Sequence, residues 1–537
     1  MYMKKSNLRR IFSLMLGLSL IGGTEISTKV QAAVSVPALF GNHMVLQRDQ
    51  KNPIWGWAIP GEKVTVRAYG VPGQKVDDQS HATSTGADGK WMVHLDPMPA
   101  NGQIIIEIEG ENNSILIKDV LIGEVWVCSG QSNMQWSVNQ SDDADIEKLT
   151  ANYPEIRMIS VPQVGTQTPQ DDFVGQWDLC TPETVQNFSA VGYYFGRQLH
   201  QTLGVPIGLI DNAWGGSSAE AWVRRDLFEG KEIYKPLLER WAEIEWDPAL
   251  LQAMDDYESS IEVWKRKTIE ARLKGEPVPN RPNRPRNRLT DQHRPGNLYN
   301  GVLRPIIGYG MRGVIWYQGE SNAGRAYQYR DLFPLMIQNW RDEWGQGDFP
   351  FYWVQLADFR DEKADPAESD WAELREAQTM TMSVLPNTGE AVIIDIGEAH
   401  DIHPKNKQDA GKRLARWALA KDYGIDLVYR SPIYESMSVD GNKAILKFSH
   451  VGGGLDTFDV RTPVGFAIAG DDKKFVWAQA KIVGNDTVEV WHDSVSNPAS
   501  VRYGWADNPV CNMQNREGLP LTPFRTDDWP GVTNGKF

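Results

Sequence analysis

Three cysteines, Cys128, Cys180 and Cys511, are all that a chain of 537 residues contains. An odd, sparse and widely spaced set is neither a disulfide framework nor a metal-binding spacing. It leaves room for one disulfide at most, and Cys128, inside an apolar run, reads as a small buried hydrophobe. Basic charge is also short: 55 Lys and Arg against 70 Asp and Glu give a formal net charge of −15. This excludes a nucleic-acid partner, whose phosphates need a basic surface. An acidic ligand would have to be recognised by local Arg or Lys, because the overall field would not steer it in. Long apolar runs are confined to the N-terminus. There Lys4, Lys5, Arg9 and Arg10 precede an apolar stretch over 11–22, and Val30-Gln31-Ala32 supplies small residues. That is the pattern of a signal peptide cleaved after Ala32, and the stretch is short for a membrane span. The mature chain is expected to be secreted or periplasmic, with no membrane span.

What is present is an ordinary globular balance, 41% hydrophobic and 23% charged, at a length that calls for two or three units. Histidine is scarce, with nine residues, and tryptophan abundant, with 21. Indoles suit both core packing and the apolar faces of sugars. Residues 33–118 carry short β runs (64–69, 91–95, 104–108) punctuated by Pro60-Gly61, Pro72-Gly73 and Asp88-Gly89, which predicts a β-sandwich-like unit. Over 119–425 apolar runs at 125–128, 156–161, 207–211, 314–317, 351–356 and 391–396 alternate with helical patterns at 190–203, 326–343, 370–384 and 406–421. Such alternation predicts an α/β unit, a parallel sheet with helices on both faces. An insertion at 226–296 interrupts it: first charged and helical, then a Pro-, Arg- and Asn-rich loop over 277–295, a connector whose basic tail could meet an acidic substrate. Strand signals return over 426–537 and predict a second β-rich unit.

Ligands of open parallel sheets bind beyond the C-terminal strand ends, so the residues that follow each run carry the chemistry. After 125–128 comes Ser129-Gly130-Gln131-Ser132-Asn133-Met134, a serine placed to sit in a tight turn at a helix start. After 207–211 comes Trp214-Gly215-Gly216-Ser217, where paired glycines let backbone approach a ligand. After 314–317 comes Gln318-Gly319-Glu320-Ser321-Asn322, with amides that can donate to an oxyanion and a carboxylate at the rim. After 391–396 comes Gly397-Glu398-Ala399-His400-Asp401-Ile402-His403-Pro404, a histidine beside acids. Each loop alone reads equally as a polar turn. Together they supply the parts of a serine acyl-transfer site.

These four blocks, in this order, resemble the sialate O-acetylesterase family of the SGNH hydrolase superfamily. Met44-Val45-Leu46-Gln47-Arg48, Trp55-Gly56-Trp57, Val501-Arg502-Tyr503-Gly504-Trp505-Ala506 and Gly518-Leu519-Pro520 extend the resemblance over nearly the whole chain. It implies an SGNH-like catalytic sheet and a carbohydrate acetylesterase that uses no metal or other cofactor, with an acetylated carbohydrate as its partner. Sialic acid esters are the first expectation, and acetylated plant polysaccharide such as xyloglucan or xylan the second. By motif, Ser132 is the nucleophile and His403 the base. The backbone N–H groups of Ser132 and Gly215 or Gly216, with a side-chain amide from Asn322 or Gln318, form the oxyanion hole. Gln131, Asn133, Glu320 and Trp214 are assigned to substrate contact or orientation. The acid often found three residues before the histidine is replaced by His400, so Asp401 is the expected orienter, with Glu398 and Glu320 as alternatives. Two rival readings are a glycoside hydrolase pairing Glu320 with Asp395 or Glu398, and a non-catalytic carbohydrate-binding protein.

Overall fold

The computed structural model describes residues 33–537 except 74, 75, 284 and 286. The expected signal segment, 1–32, lies outside the described residues. Among the described residues no helix is long and apolar enough to cross a membrane.

The centre is a mixed sheet. Its strands run, edge to edge, Thr388–Ala391, Phe351–Val354, Gly313–Tyr317, Ser114–Gly130, Ile207–Asp211, Tyr153–Ser160 and Asp178–Cys180. All neighbours pair in parallel except the last two, which are antiparallel. Because strand side chains alternate faces, Val125 and Val127 enter one core with Ile210, Val314 and Trp316. Trp126 and Cys128 enter the other with Leu209, Ile315 and Tyr317. Both faces are therefore buried, which explains the near-continuous apolar runs. Trp316 is 0% exposed, and its truncation to Ala should cost about 3–5 kcal/mol. The helices Ala190–Leu203 and Lys407–Lys421 cover one face and Ala326–Trp344 the other, close to their predicted bounds.

Two predicted boundaries shift. The junction expected at 118/119 falls inside the single 17-residue strand Ser114–Gly130. Its first half pairs antiparallel with Gln103–Glu109 in the N-terminal β unit, and its second half is the middle of the central sheet. Asp119, at φ +57°, marks the bend between the two roles, bonded to Arg157 and His43. The last run, expected as a strand over 391–396, is a strand only over Thr388–Ala391. Val392 and Ile394 turn into the C-terminal core with Leu446 and Phe466, and Arg413 takes the Val392 carbonyl (2.8 Å). Packing against the C-terminal unit thus outcompetes sheet pairing there.

That unit holds two four-stranded sheets, one built on Ile433–Asp440 and Lys443–Ser449, the other on Phe466–Ala469 and Ser500–Tyr503. The insertion forms helices Lys235–Glu245 and Pro248–Lys274, and then the expected loop. The loop's end returns to the sheet edge: Ser218 N–H donates to the Gln292 carbonyl (3.4 Å), and Ser218 Oγ meets His293 Nδ1 at 2.7 Å. All three cysteines are buried free thiols.

Candidate active site

The strand Ser114–Gly130 ends where a side chain is impossible. Gly130 has φ +139°, and a Cβ there would lie 2.2 Å from the Tyr317 carbonyl oxygen of the adjacent strand. Only glycine allows so close an approach. The chain then turns sharply. Gln131 N–H donates to that carbonyl (2.9 Å), and the Gln131 carbonyl accepts from Met134 and Gln135 (3.0 Å each). This starts a one-turn helix, Ser132–Gln135, and leaves Ser132 half-buried at the rim.

His403 comes to it from the loop before Lys407–Lys421. Its Nε2 lies 2.9 Å from Ser132 Oγ. Asp401 Oδ1 accepts the His403 backbone N–H at 2.9 Å and sits 3.4 Å from Nδ1, which favours a proton on Nδ1 and leaves Nε2 as an acceptor. The imidazole is stacked on Trp136, with ring centroids 4.5 Å apart and planes 11° from parallel. Burial and then the Lys407 ammonium push its pKa below the usual 6.5, with Asp401 pulling the other way. The ring is therefore neutral at neutral pH. A serine hydroxyl held against a neutral imidazole can give up its proton as it attacks a carbonyl.

The other candidate orienters face elsewhere. His400 is solvent-exposed. Glu398 accepts the Lys405 N–H (3.0 Å), and Glu320 accepts from Asn133 Nδ2 (2.6 Å). Of the acids in the glycoside hydrolase reading, Asp395 is held by both Arg413 Nη atoms at 2.6 and 2.7 Å.

Beside the serine, Gly215 is close enough that its Cβ would lie 3.4 Å from Ser132 Cβ. Its N–H is donated to Gln135 Oε1 (2.8 Å). Gly216 has φ +70°, and its carbonyl accepts from Ser321 Oγ (3.0 Å). Gln131 Oε1 accepts the N–H groups of Gly319 and Ser321 (3.4 Å each). Half-buried Trp214 packs on the core, and its backbone N–H donates to the Gly130 carbonyl (3.0 Å).

The two side-chain amides expected in the oxyanion hole are engaged with protein partners. Gln318 spends both Nε2 hydrogens, on the Ser217 carbonyl (3.1 Å) and on Asn322 Oδ1 (2.7 Å), while Tyr329 donates to its Oε1 (3.0 Å). Asn322 accepts the Ala219 N–H (3.0 Å) and donates to Glu220 (2.9 Å), which is ion-paired with Arg325 (2.6 Å). Both amides are fully buried. They brace the Ser217–Glu220 backbone, because an amide in a dry interior takes the partners nearest to hand.

Sequence reasoning missed several members. Trp136, Gln135 and Asp211 line, with Ser132 and His403, a cleft of about 720 Å³. Asp211 ends its strand, and burial lifts its pKa to about 7 against the opposing Ala213 N–H. Lys407, 1% exposed, donates to Asn133 Oδ1 at 2.5 Å. Only its place near a helix start was visible in the sequence.

Known proteins resemble this chain over most of its length. The sequence model of a family described as carbohydrate esterase, sialic acid-specific acetylesterase, matches residues 122–254 and 288–420. The human sialate O-acetylesterase is 30% identical over 536 residues, covering 91% of this chain and 92% of its own. The mouse sialate O-acetylesterase is 30% identical over 555 residues, covering 95% and 97%. A crystal structure of a carbohydrate acetylesterase from Xanthomonas citri superposes with a TM-score of 0.76 at 36% identity, covering 93% of this chain and all of that one. The chain belongs to the sialic acid-specific acetylesterase family of carbohydrate esterases.

Proposed function

We propose that this protein removes O-acetyl groups from sugars, sialic acid esters foremost, with Ser132 as nucleophile, His403 as general base and Asp401 as the group that orients it. The observation that carries the reading is the 2.9 Å contact between Ser132 Oγ and a neutral, stacked His403. His403 Nε2 takes the Ser132 proton as Oγ bonds to the acetyl carbon. The ester C–O bond then breaks, and the sugar oxygen leaves with that proton. Water attacks the acetyl-enzyme by the same route, and acetate is released.

The oxyanion of each tetrahedral intermediate is received by the backbone N–H groups of Ser132 and Gly215 or Gly216. Gln135 gives up the Gly215 N–H when substrate enters. Losing one such donor typically costs about 3–4 kcal/mol of transition-state stabilisation. Support for sialic esters comes from the relatives named for them. A second reading, a neutral acetylated glycan, is favoured by the cleft wall itself, where Asp211, Trp136, Gln135 and Gln163 present hydroxyl-binding and stacking groups. The basic, apolar N-terminus supports export of the mature chain.

The test is acetate release by wild type and Ser132→Ala from acetylated sialic acid, xylan and xyloglucan. Release by the wild type alone is expected, and the best substrate fixes the glycan. Wild-type-like release by Ser132→Ala would overturn the mechanism.

A further inference from the structure

The mechanism above leaves a buried charged cluster without a role. It lies behind the catalytic pair, where three chain segments meet. Asn133, the residue after the nucleophile, is its hub. Asn133 Oδ1 accepts from Lys407 Nζ (2.5 Å), and Nδ2 donates both to Glu320 Oε1 (2.6 Å) and to the Ile402 carbonyl (3.0 Å). A cation on the oxygen side and a carboxylate on the nitrogen side leave one orientation for the amide. With its oxygen and both hydrogens engaged, this side chain ties the nucleophile turn to the loop that carries His403.

Lys407 is an expensive residue in this place. It is 1% exposed and stands first in the helix Lys407–Lys421, where the helix dipole disfavours a cation. Its Nζ lies 5.1 Å from the Tyr317 ring centroid and 6.0 Å from that of Trp136, the ring that stacks on His403. A residue that breaks local rules at a site edge without an apparent structural gain points to function.

We infer that Lys407 is a positioning residue: through Asn133 it fixes the His403 loop against Ser132. The inference rests on the Ser132–His403 reading above. The groups facing Lys407 are Glu320 from the strand-end loop, Asp401 and Glu398 from the histidine loop, and the rings of Tyr317 and Trp136. Those facing His403 are Asp401, Lys407, Ser132 and Trp136. Burial lowers the Lys407 pKa to about 7, opposed by Glu320, Asp401 and Glu398. In the range where His403 titrates, below 6.5, Lys407 is therefore charged and acts on it.

The experiment is the pH profile of kcat/KM on an acetyl ester for wild type, Lys407→Met, Asn133→Ala and, as a control, Lys405→Met, with thermal unfolding of each. Lys407→Met should move the acidic limb upward, because the His403 pKa rises when the neighbouring cation is lost. It should lower kcat about tenfold with KM nearly unchanged, the mark of a misplaced base. Its unfolding temperature should fall, since Asn133 Oδ1 and Glu320 lose their buried cation, so kcat and KM are read well below that temperature. Asn133→Ala cuts the tether but leaves the cation in place, so its kcat should fall in the same way without the rise in the limb. Lys405, half-exposed on the same segment, should leave both in place when replaced. Wild-type kcat in folded Lys407→Met, whatever the acidic limb does, overturns the inference. Wild-type-like turnover by Ser132→Ala would instead remove the reading beneath it.

Discussion

Two polar clusters sit at the same edge of the central sheet, and they are built on opposite terms. Ser132, His403 and Asp401 are half-buried and hold one another through few contacts, the longest 3.4 Å. Gln318, Asn322 and Glu220 are fully buried, and Gln318 has every amide hydrogen spent. The first cluster leaves a hydroxyl and an imidazole open to the cleft, while in the second Gln318 has no hydrogen left to give and the amides hold backbone in place. A polar residue at a strand end therefore declares its role by what its hydrogens are already doing, and residue type alone does not separate the two.

The comparison can be broken most severely at Ser132. Ser132→Ala should lower acetate release by at least about 10³-fold while leaving thermal unfolding unchanged. On the other cluster the effects should reverse. Glu220→Ala leaves Arg325 and the Asn322 amide without their buried partner and should destabilise the fold by about 3–5 kcal/mol, read as a lowered midpoint in denaturant. The pH dependence follows from the same pair. Burial works against ionising Glu220, but Arg325 and Asn322 outweigh it and hold its pKa below 4.5. Its contribution should thus be present at neutral pH and be lost as pH falls through that lowered value.

A smaller effect is expected at Asp401. Asp401→Asn removes the group that raises the His403 pKa, so the acidic limb of kcat/KM should move to lower pH. Turnover should fall about 10²-fold as the imidazole loses its preferred tautomer. An acidic limb that rises, or turnover that does not change, would point to a different orienter. The smallest expected effect tests the link between the clusters and the ligand. Gln135→Ala frees the Gly215 N–H and should raise kcat/KM by roughly two- to fivefold, the scale of one exchanged neutral hydrogen bond. A decrease would mean that Gln135 holds substrate rather than yielding to it.

The N-terminal and C-terminal edges of the central sheet show how far the sequence could be read. The runs at 207–211 and 314–317 are strands, because side chains buried on both faces leave a continuous apolar signature. The run at 391–396 has the same signature for another reason. Its alternate residues face two different cores, and the sheet claims only Ala391. The junction at 119 was hidden because one strand serves two sheets and changes composition without a linker.

The sequence by itself determined the alternation of strands and helices, the four loops at the strand ends, and the nucleophile and base candidates within them. These depend on local patterning, on glycine where the backbone must approach closely, and on a rare histidine beside acids. Tertiary structure alone decided which amides were free and which spent, that Trp136 would lie flat against His403, and that Lys407 would be buried behind it. Those outcomes depend on residues far apart in the chain, Asn133 with Lys407 and Gln318 with Ser217, competing for partners in a dry interior. No local pattern encodes that competition, because its result is set by distance and burial.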